Sequence, residues 1–217
     1  MRELPILFST PMVKAIEDNR KKMTRRTSGL EKVNLEPDNW EYIQFINEVN
    51  TKTLVGQLYV CFRYKSWVIQ SFKPRYQEGD HVWVKETWRK FDICKNIIMY
   101  KADRDRPNEF KWKSSLYMRK EYARTWLECT GVRCERLRDI SEQDAINEGI
   151  QIIEDNEAYF DYEFNGKNGS YATAKGSFFS LWKKINGNES LDLNPWVFVY
   201  EFKRIQDNDK STGNSNN

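Results

Sequence analysis

The chain has 217 residues, of which 39% are hydrophobic, 14% aromatic and 31% charged, and its formal net charge is +3. This length and apolar content predict one sizeable domain with a packed core, or one domain that carries an insertion. No apolar run is long enough to span a bilayer, which excludes a membrane helix, and the small net charge confines any affinity for nucleic acid to a local patch.

The first residues and the cysteines predict a cytoplasmic protein without a metal or cofactor. The N-terminal apolar stretch is too short, and acidic too early, for a signal peptide. The cysteines at positions 61, 94, 129 and 134 form no Cys-x-x-Cys pair, and His81 is the single histidine. A zinc site would need ligands gathered from unpaired positions, so buried free thiols are expected instead.

A helix followed by a burst of positive charge opens the chain. Thr10 and Pro11 predict the start of the helix, with Thr10 as its cap, and Asn19 suits a left-handed helix end. The cations that follow are Arg20, Lys21, Lys22, Arg25 and Arg26. Lys21 and Thr24 serve one pocket only if this segment curls, because positions i and i+3 face opposite sides of an extended strand. The cluster indicates either a solvated face or a surface for phosphate or another anion.

The middle of the chain alternates weak and strong patterns. Residues 28–37 are typical of a loop. Residues 38–49 are typical of a short helix with Trp40, Ile43 and Ile46 on one side. Residues 54–62 and 67–69 are typical of a strand hairpin. The turn at 79–80 leads into a half-buried strand over 81–88. Further strands are predicted over 97–102, 124–138 and 194–205, with an irregular link over 112–122.

Two helices are predicted in the second half of the chain. One follows Ser141, which caps it with Asp144, and it ends at Gly149. The other covers 178–185 and ends at Gly187. Residues 154–175 are predicted to be a mobile loop and residues 206–217 a disordered tail. Strands separated by short helices, without regular β-α-β alternation, predict an α+β fold.

Glu148 is the residue of the first of these helices that needs an explanation. It lies in the last turn, where the negative end of the helix dipole disfavours a carboxylate. A solvated carboxylate is the simple interpretation. The other is that Glu148 has a cation beside it or a function.

Six segments of the chain, two of them residues 112–122 and 123–128, resemble the ASCH-domain family, in particular its members encoded by bacteriophages. Residues 20–26, Arg-Lys-Lys-Met-Thr-Arg-Arg, are similar to the end of the family's Gly-Arg-Lys-Thr-x-Thr-x-Arg, with Asn19 in place of the glycine and Lys22 at a usually small or polar position. Residues 79–88, 139–150 and 194–202 resemble three further family segments. The resemblance implies a PUA-like curled β-barrel with short helices at its mouth. It also implies one domain over 1–205, with an insertion at about 28–72.

The first function that the resemblance implies is binding of nucleic acid or a modified nucleoside. RNA or DNA, or a free modified nucleoside, would then be the partner, in the host cytoplasm for a phage protein. Phosphates would be contacted by the basic cluster of Arg20, Lys21, Lys22, Arg25 and Arg26, and a base would stack on Trp83 or Trp88. An accessory role in phage assembly is a further possibility, with no residue behind it.

The second implied function is enzymatic. Small ASCH proteins include an amidohydrolase that removes the acetyl group from N4-acetylcytidine with a lysine, a threonine and a glutamate. Those positions carry over to Lys21, Thr24 and Glu148. In that chemistry a desolvated lysine serves as base for the threonine hydroxyl, and the carboxylate passes a proton to the leaving amine.

Overall fold

A five-stranded mixed sheet forms the centre of the computed structural model, which describes residues 1–49, 56–65, 68–91, 97–104, 110–153, 158–160 and 173–205. Its strands are β1 (Glu3–Leu7), β2 (Met23–Arg26), β6 (His81–Lys85), β9 (Trp126–Arg136) and β12 (Trp196–Arg204). They are hydrogen-bonded in the order β1-β6-β9-β12-β2. β1 is parallel to β6 and the other pairs are antiparallel. The edge strands are therefore β1 and β2, the two strands that flank the first helix.

The helices are α1 (Thr10–Glu17), α2 (Glu142–Asn147), α3 (Ala174–Asn186) and α4 (Glu189–Asp192). The cap of α1 is Ser9 and not Thr10, one residue earlier than predicted. Asn19 follows the helix with φ 57°, the left-handed conformation predicted for it. The predicted cap of α2 is confirmed, because the Ser141 hydroxyl accepts a hydrogen bond from the Asp144 N–H at 3.0 Å.

The segment between β2 and β6 contains a second, antiparallel sheet of β3 (Trp40–Val49), β4 (Gly56–Tyr64) and β5 (Val68–Phe72). The helix predicted over 38–49 is wrong, since these residues pair with β4 along the whole of β3. A register shift between Tyr42 and Gln44 lets Tyr42 and Phe45 both reach the core, so the apolar residues of this strand do not follow a strict period of two. The predicted hairpin of β4 and β5 is confirmed.

The remaining strands form two short hairpins, β7 (Trp88–Lys90) with β8 (Ile98–Tyr100) and β10 (Gln151–Ile153) with β11 (Ala158–Phe160). The strands predicted over 81–88, 97–102, 124–138 and 194–205 are present with narrower bounds. Most of the loop predicted over 154–175 lies outside the described residues, and so does the whole tail predicted over 206–217.

Apolar side chains pack in two clusters on opposite faces of β12. Because side chains alternate along a strand, Phe198 and Tyr200 enter the cluster beneath the second sheet, while Val197 and Val199 enter the one beneath α2 and α3. The fold is thus mixed α+β and rich in strands, as predicted. In the described part of the chain, no helix has both the length and the apolar character needed to cross a membrane.

Candidate functional site

A buried ion pair between Lys21 and Glu148 lies where α1 and α2 end. The chain leaves α1 through Asn19, and the Lys21 N–H donates to the Ala15 carbonyl at 2.9 Å. Lys21 and Glu148 then form an isolated antiparallel β-bridge. The Lys21 ammonium donates to Glu148 Oε2 at 2.7 Å and to the Glu148 carbonyl at 2.9 Å. The side chains are 0% and 5% exposed, so the carboxylate at this helix end does have a cation beside it and is not solvated.

Burial makes Lys21 an unusual lysine. The loss of water around its ammonium lowers the pKa of Lys21, and the neighbouring Glu148 carboxylate opposes this shift. The ring of Phe8 lies 5.6 Å from the same nitrogen. A lysine with a lowered pKa gives up its proton more readily at neutral pH, which suits a general base.

Arg25 is the second cation on Glu148, and its side chain is 0% exposed. It donates to Glu148 Oε1 at 3.1 Å, to Asp144 Oδ2 at 2.8 Å and to Glu135 Oε1 at 2.7 Å. Arg133 extends the network, because it donates to Glu135 Oε2 at 3.1 Å and to Asp144 Oδ2 at 2.5 Å. Arg25 therefore holds one oxygen of Glu148 in place while Lys21 binds the other. Its guanidinium is already paired with three carboxylates, and the phosphate contact predicted for it stays a prediction.

A cavity of about 250 Å³ lies beside Glu148, and we call it the Glu148 cavity. Its polar lining includes Thr24, Arg26 and Glu148, and its apolar wall is formed by Met12, Phe178, Leu181, Trp182 and Ile185. Thr24 itself is 3% exposed. Residues Met23–Arg26 are an extended strand, so the predicted curl is absent at Thr24. Glu148 connects the other two predicted catalytic residues: its carboxylate binds Lys21, and it lines this cavity together with Thr24.

Arg26 stands at the rim of the Glu148 cavity. Its guanidinium donates to the Leu7 carbonyl at 2.9 Å and lies 5.4 Å from the centre of the Phe8 ring. A neighbouring cavity of about 320 Å³ shares Met12, Arg26, Leu181 and Ile185 with the Glu148 cavity. The two form one groove that passes over Arg26.

The other predicted binding residues are distributed differently. Arg20 donates to the Gly149 carbonyl and to Asp18, each at 2.9 Å, and Lys22 is exposed. Trp83 and Trp88 are only 9% and 5% exposed. The Trp88 ring packs on Tyr122 with centroids 4.9 Å apart. Neither tryptophan lines the Glu148 cavity or the other cavity that contains Arg26, so the stacking role predicted for them stays a prediction.

The sequence does not identify two groups of residues as part of the site. Asp144 was assigned to capping alone, although Asp144 and Glu148 lie four residues apart, a spacing that places both carboxylates on one helix face. Phe178, Leu181 and Trp182 belong to the helix predicted over 178–185. They pack in the core, and the same helix face also forms the cavity wall. No local pattern separates these two roles.

The site offers a buried lysine, a hydroxyl, a carboxylate and an arginine at an apolar cavity. In the described residues, no group of three or more His, Cys, Asp or Glu side chains is arranged to hold a metal ion. The described cysteines, Cys61, Cys129 and Cys134, are free thiols, and Cys94 lies outside the described residues. Comparisons with models of protein families, with curated proteins and with solved structures found no match to this chain.

Proposed function

We propose that the protein binds a modified nucleoside, free or within RNA or DNA, in the Glu148 cavity. The make-up of that cavity carries the proposal. Apolar and aromatic walls with a few polar groups are typical of small-molecule sites. Phe178 and Trp182 provide apolar surface for a planar base, and Thr24 and Glu148 provide polar contacts for its exocyclic group.

The same proposal includes that the chain is a member of the ASCH family with a PUA-like curled barrel, and that it acts in the cytoplasm. Two observations support this architecture, one for the curled sheet and one for the helices at its mouth. The edge strands β1 and β2 approach each other where Arg26 donates to the Leu7 carbonyl at 2.9 Å, as expected when a sheet curls towards closure. Residues of α1 and α3 line the cavity beside this contact.

Calorimetric titration with N4-acetylcytidine, cytidine and uridine tests the binding. We expect N4-acetylcytidine to bind more tightly than cytidine. Thr24→Val should weaken its binding about fivefold, since one hydrogen bond is worth about 1 kcal/mol. Thr130→Val is the matched control, because Thr130 is an exposed threonine of β9 away from the cavity. Equal affinity for all three nucleosides, or unchanged affinity of the Thr24 variant, contradicts the proposal.

A second candidate function is hydrolysis of the N4-acetyl amide, which the Lys21–Glu148 pair and the lowered pKa of Lys21 favour. In this reaction deprotonated Lys21 takes the proton of the Thr24 hydroxyl, and the hydroxyl oxygen attacks the acetyl carbonyl carbon. The C–N4 bond breaks, and Glu148 relays a proton to the leaving amine. Water then cleaves the acetyl-threonine ester, which releases acetate. Arg25 acts through Glu148 as a positioning residue.

Release of acetate from N4-acetylcytidine tests this candidate. Lys21→Met, Thr24→Val and Glu148→Gln should each abolish turnover, and double variants should lose no more, because the residues act as a unit. Thr24→Ser retains a hydroxyl and should keep part of the activity. Binding without turnover by the unaltered protein removes the hydrolytic function and leaves the binding function in place.

A further inference from the structure

A second cavity, of about 520 Å³, lies between the end of α1 and the end of β12. We call it the cationic cleft, because half of its lining is basic: Lys21, Lys22, Arg124, Lys203 and Arg204. No carboxylate of the described residues lines it. None of these residues except Lys21 and Lys22 belongs to the basic cluster that the sequence predicts to contact phosphates.

Not all of these cations are available to a ligand. Lys21 is bound to Glu148, and Arg124 is bound to Glu17, Glu86 and Asp103 at 3.0 Å or less. These two contribute little net charge.

Three cations remain for a ligand. Lys203 has one exposed partner, Glu128 at 3.1 Å, and such surface pairs hold a lysine only weakly. Lys22 and Arg204 have no carboxylate within 4.0 Å in the part of the chain that the structure describes. The usable positive charge of the cleft therefore comes from Lys22, Lys203 and Arg204, whose side chains are all exposed.

One ion pair separates the cationic cleft from the Glu148 cavity. Lys21 lines the cleft, Glu148 lines the cavity, and their charged groups are 2.7 Å apart. Because the linings of the two sites meet at this pair, a strand of several nucleotides that follows the protein surface can reach both sites. Several exposed cations beside a cavity of the size of a base are complementary in charge to a ligand that carries repeated phosphates next to its base.

We propose that the cationic cleft binds the phosphodiester backbone of a single-stranded nucleic acid whose modified base enters the Glu148 cavity. This proposal rests on the proposed binding of a modified nucleoside in the Glu148 cavity, and it specifies that the nucleoside is part of a polymer. A single strand fits best, since a base must leave its stack to enter a pocket, and this costs least where the base is unpaired. The backbone contacts fix the position of the strand without reading its sequence.

The test uses the full chain and a labelled single-stranded RNA of about 12 nucleotides with one N4-acetylcytidine. Lys22, Lys203 and Arg204 are all replaced by glutamate. The control replaces Lys32, Lys65 and Arg138 by glutamate, which changes the net charge equally at exposed positions that line neither cavity. Arg138, like Lys203, has one exposed acidic partner. Titration with free N4-acetylcytidine and a melting curve accompany every RNA measurement.

We expect the cleft variant to lose at least tenfold in RNA affinity and to bind the free nucleoside unchanged. The slope of log affinity against log salt should fall by roughly 0.7 for each lost phosphate contact, or about 2 for three. The control variant should keep the parent's slope. Retained RNA affinity in the cleft variant, an equal loss in the control, or displacement of the RNA by millimolar inorganic phosphate at constant ionic strength overturns the proposal. RNA binding that needs the cleft, without any binding of the free nucleoside, supports the cleft and refutes the proposed function of the cavity.

Discussion

The ammonium of Lys21 lies 2.7 Å from a carboxylate oxygen of Glu148, which is 127 residues further along the chain. This contact joins the end of α1 to the end of α2 and closes one side of the Glu148 cavity. Both groups are withdrawn from water, so removal of either side chain leaves the other buried with one partner fewer. Glu148 has an additional partner in Arg25, at 3.1 Å. The two ends of the pair should therefore respond differently to substitution.

Glu148→Gln should destabilise the protein more than Lys21→Met. The glutamine removes the negative charge from two buried cations, whereas the methionine leaves Glu148 paired with Arg25. Removal of one partner from a buried pair costs about 3–5 kcal/mol, and we place Glu148→Gln in this range with Lys21→Met below it. Urea unfolding measures both. Glu78→Gln, at an exposed position, should stay within about 0.5 kcal/mol of the parent. The reverse order of the two variants would show that Arg25 does not support Glu148.

Arg25 and Arg26 are neighbours in sequence with opposite expected effects. Arg25→Met leaves three carboxylates without their common partner and should cost about 3–5 kcal/mol in the free energy of unfolding. Arg26→Met removes a hydrogen bond to the Leu7 carbonyl and should cost about 1 kcal/mol. Both arginines line the cavity, but Arg25 is held by three carboxylates, so Arg26→Met is the variant that should weaken nucleoside binding without a large loss of stability. Equal losses of stability would contradict the burial of Arg25.

The parts of the fold that the sequence predicted correctly have strong local signals. Ser141, Asp144 and Gly149 define both ends of α2, and the continuous β-prone apolar run at the start of β12 defines a buried strand. The failure over 38–49 has an equally local cause. A register shift between Tyr42 and Gln44 interrupts the period of two by which a strand is recognised in a sequence.

The site was predictable only in part, for a physical reason. A carboxylate at the end of a helix needs a cation, so Glu148 could be expected to have one. Which of the five cations between Arg20 and Arg26 provides it depends on contacts far along the chain. Alternation along β2 places Arg25 on the same side as the buried Met23, but burial of an arginine needs acidic partners that no pattern near it reveals.

Alkaline pH should destabilise the protein partly through Cys129. Burial raises the pKa of this thiol from its ordinary 9.0 to about 12. The folded state thus keeps a proton that the unfolded state loses, and the resulting stability is present below about pH 9 and disappears as the pH rises towards about 12. Cys129→Ala should therefore flatten the decline of unfolding free energy in this range, whatever its effect at neutral pH. The decline should not vanish, since burial also raises the pKa values of Cys134 and Tyr200. An unchanged decline in the variant would contradict the shift.

Arg124 lines the cationic cleft, yet we expect it to act in stability rather than in binding. Its guanidinium makes two hydrogen bonds of 2.9 Å to Glu86, a residue that is 1% exposed, and it also binds Asp103 and Glu17. Arg124→Met leaves the Glu86 carboxylate buried without this partner and should cost about 3–5 kcal/mol at neutral pH. Arg119→Met is the control, because the pair that Arg119 forms with Glu121 is exposed and worth little.

The pH dependence of the Arg124 variant separates the two roles. Burial already raises the pKa of Glu86 against the opposing effect of Arg124, and removal of Arg124 should raise it further. A folded-state pKa above the unfolded value favours the folded state at low pH, where the carboxyl is protonated in the folded protein. The difference in unfolding free energy between parent and Arg124→Met should therefore be largest near neutral pH. It should shrink as the pH falls towards 4.5, the ordinary pKa of a glutamate. Glu86→Gln in the same chain should recover part of the loss. A small, pH-independent loss together with a fall in the salt slope of RNA binding would instead make Arg124 a phosphate ligand of the cleft.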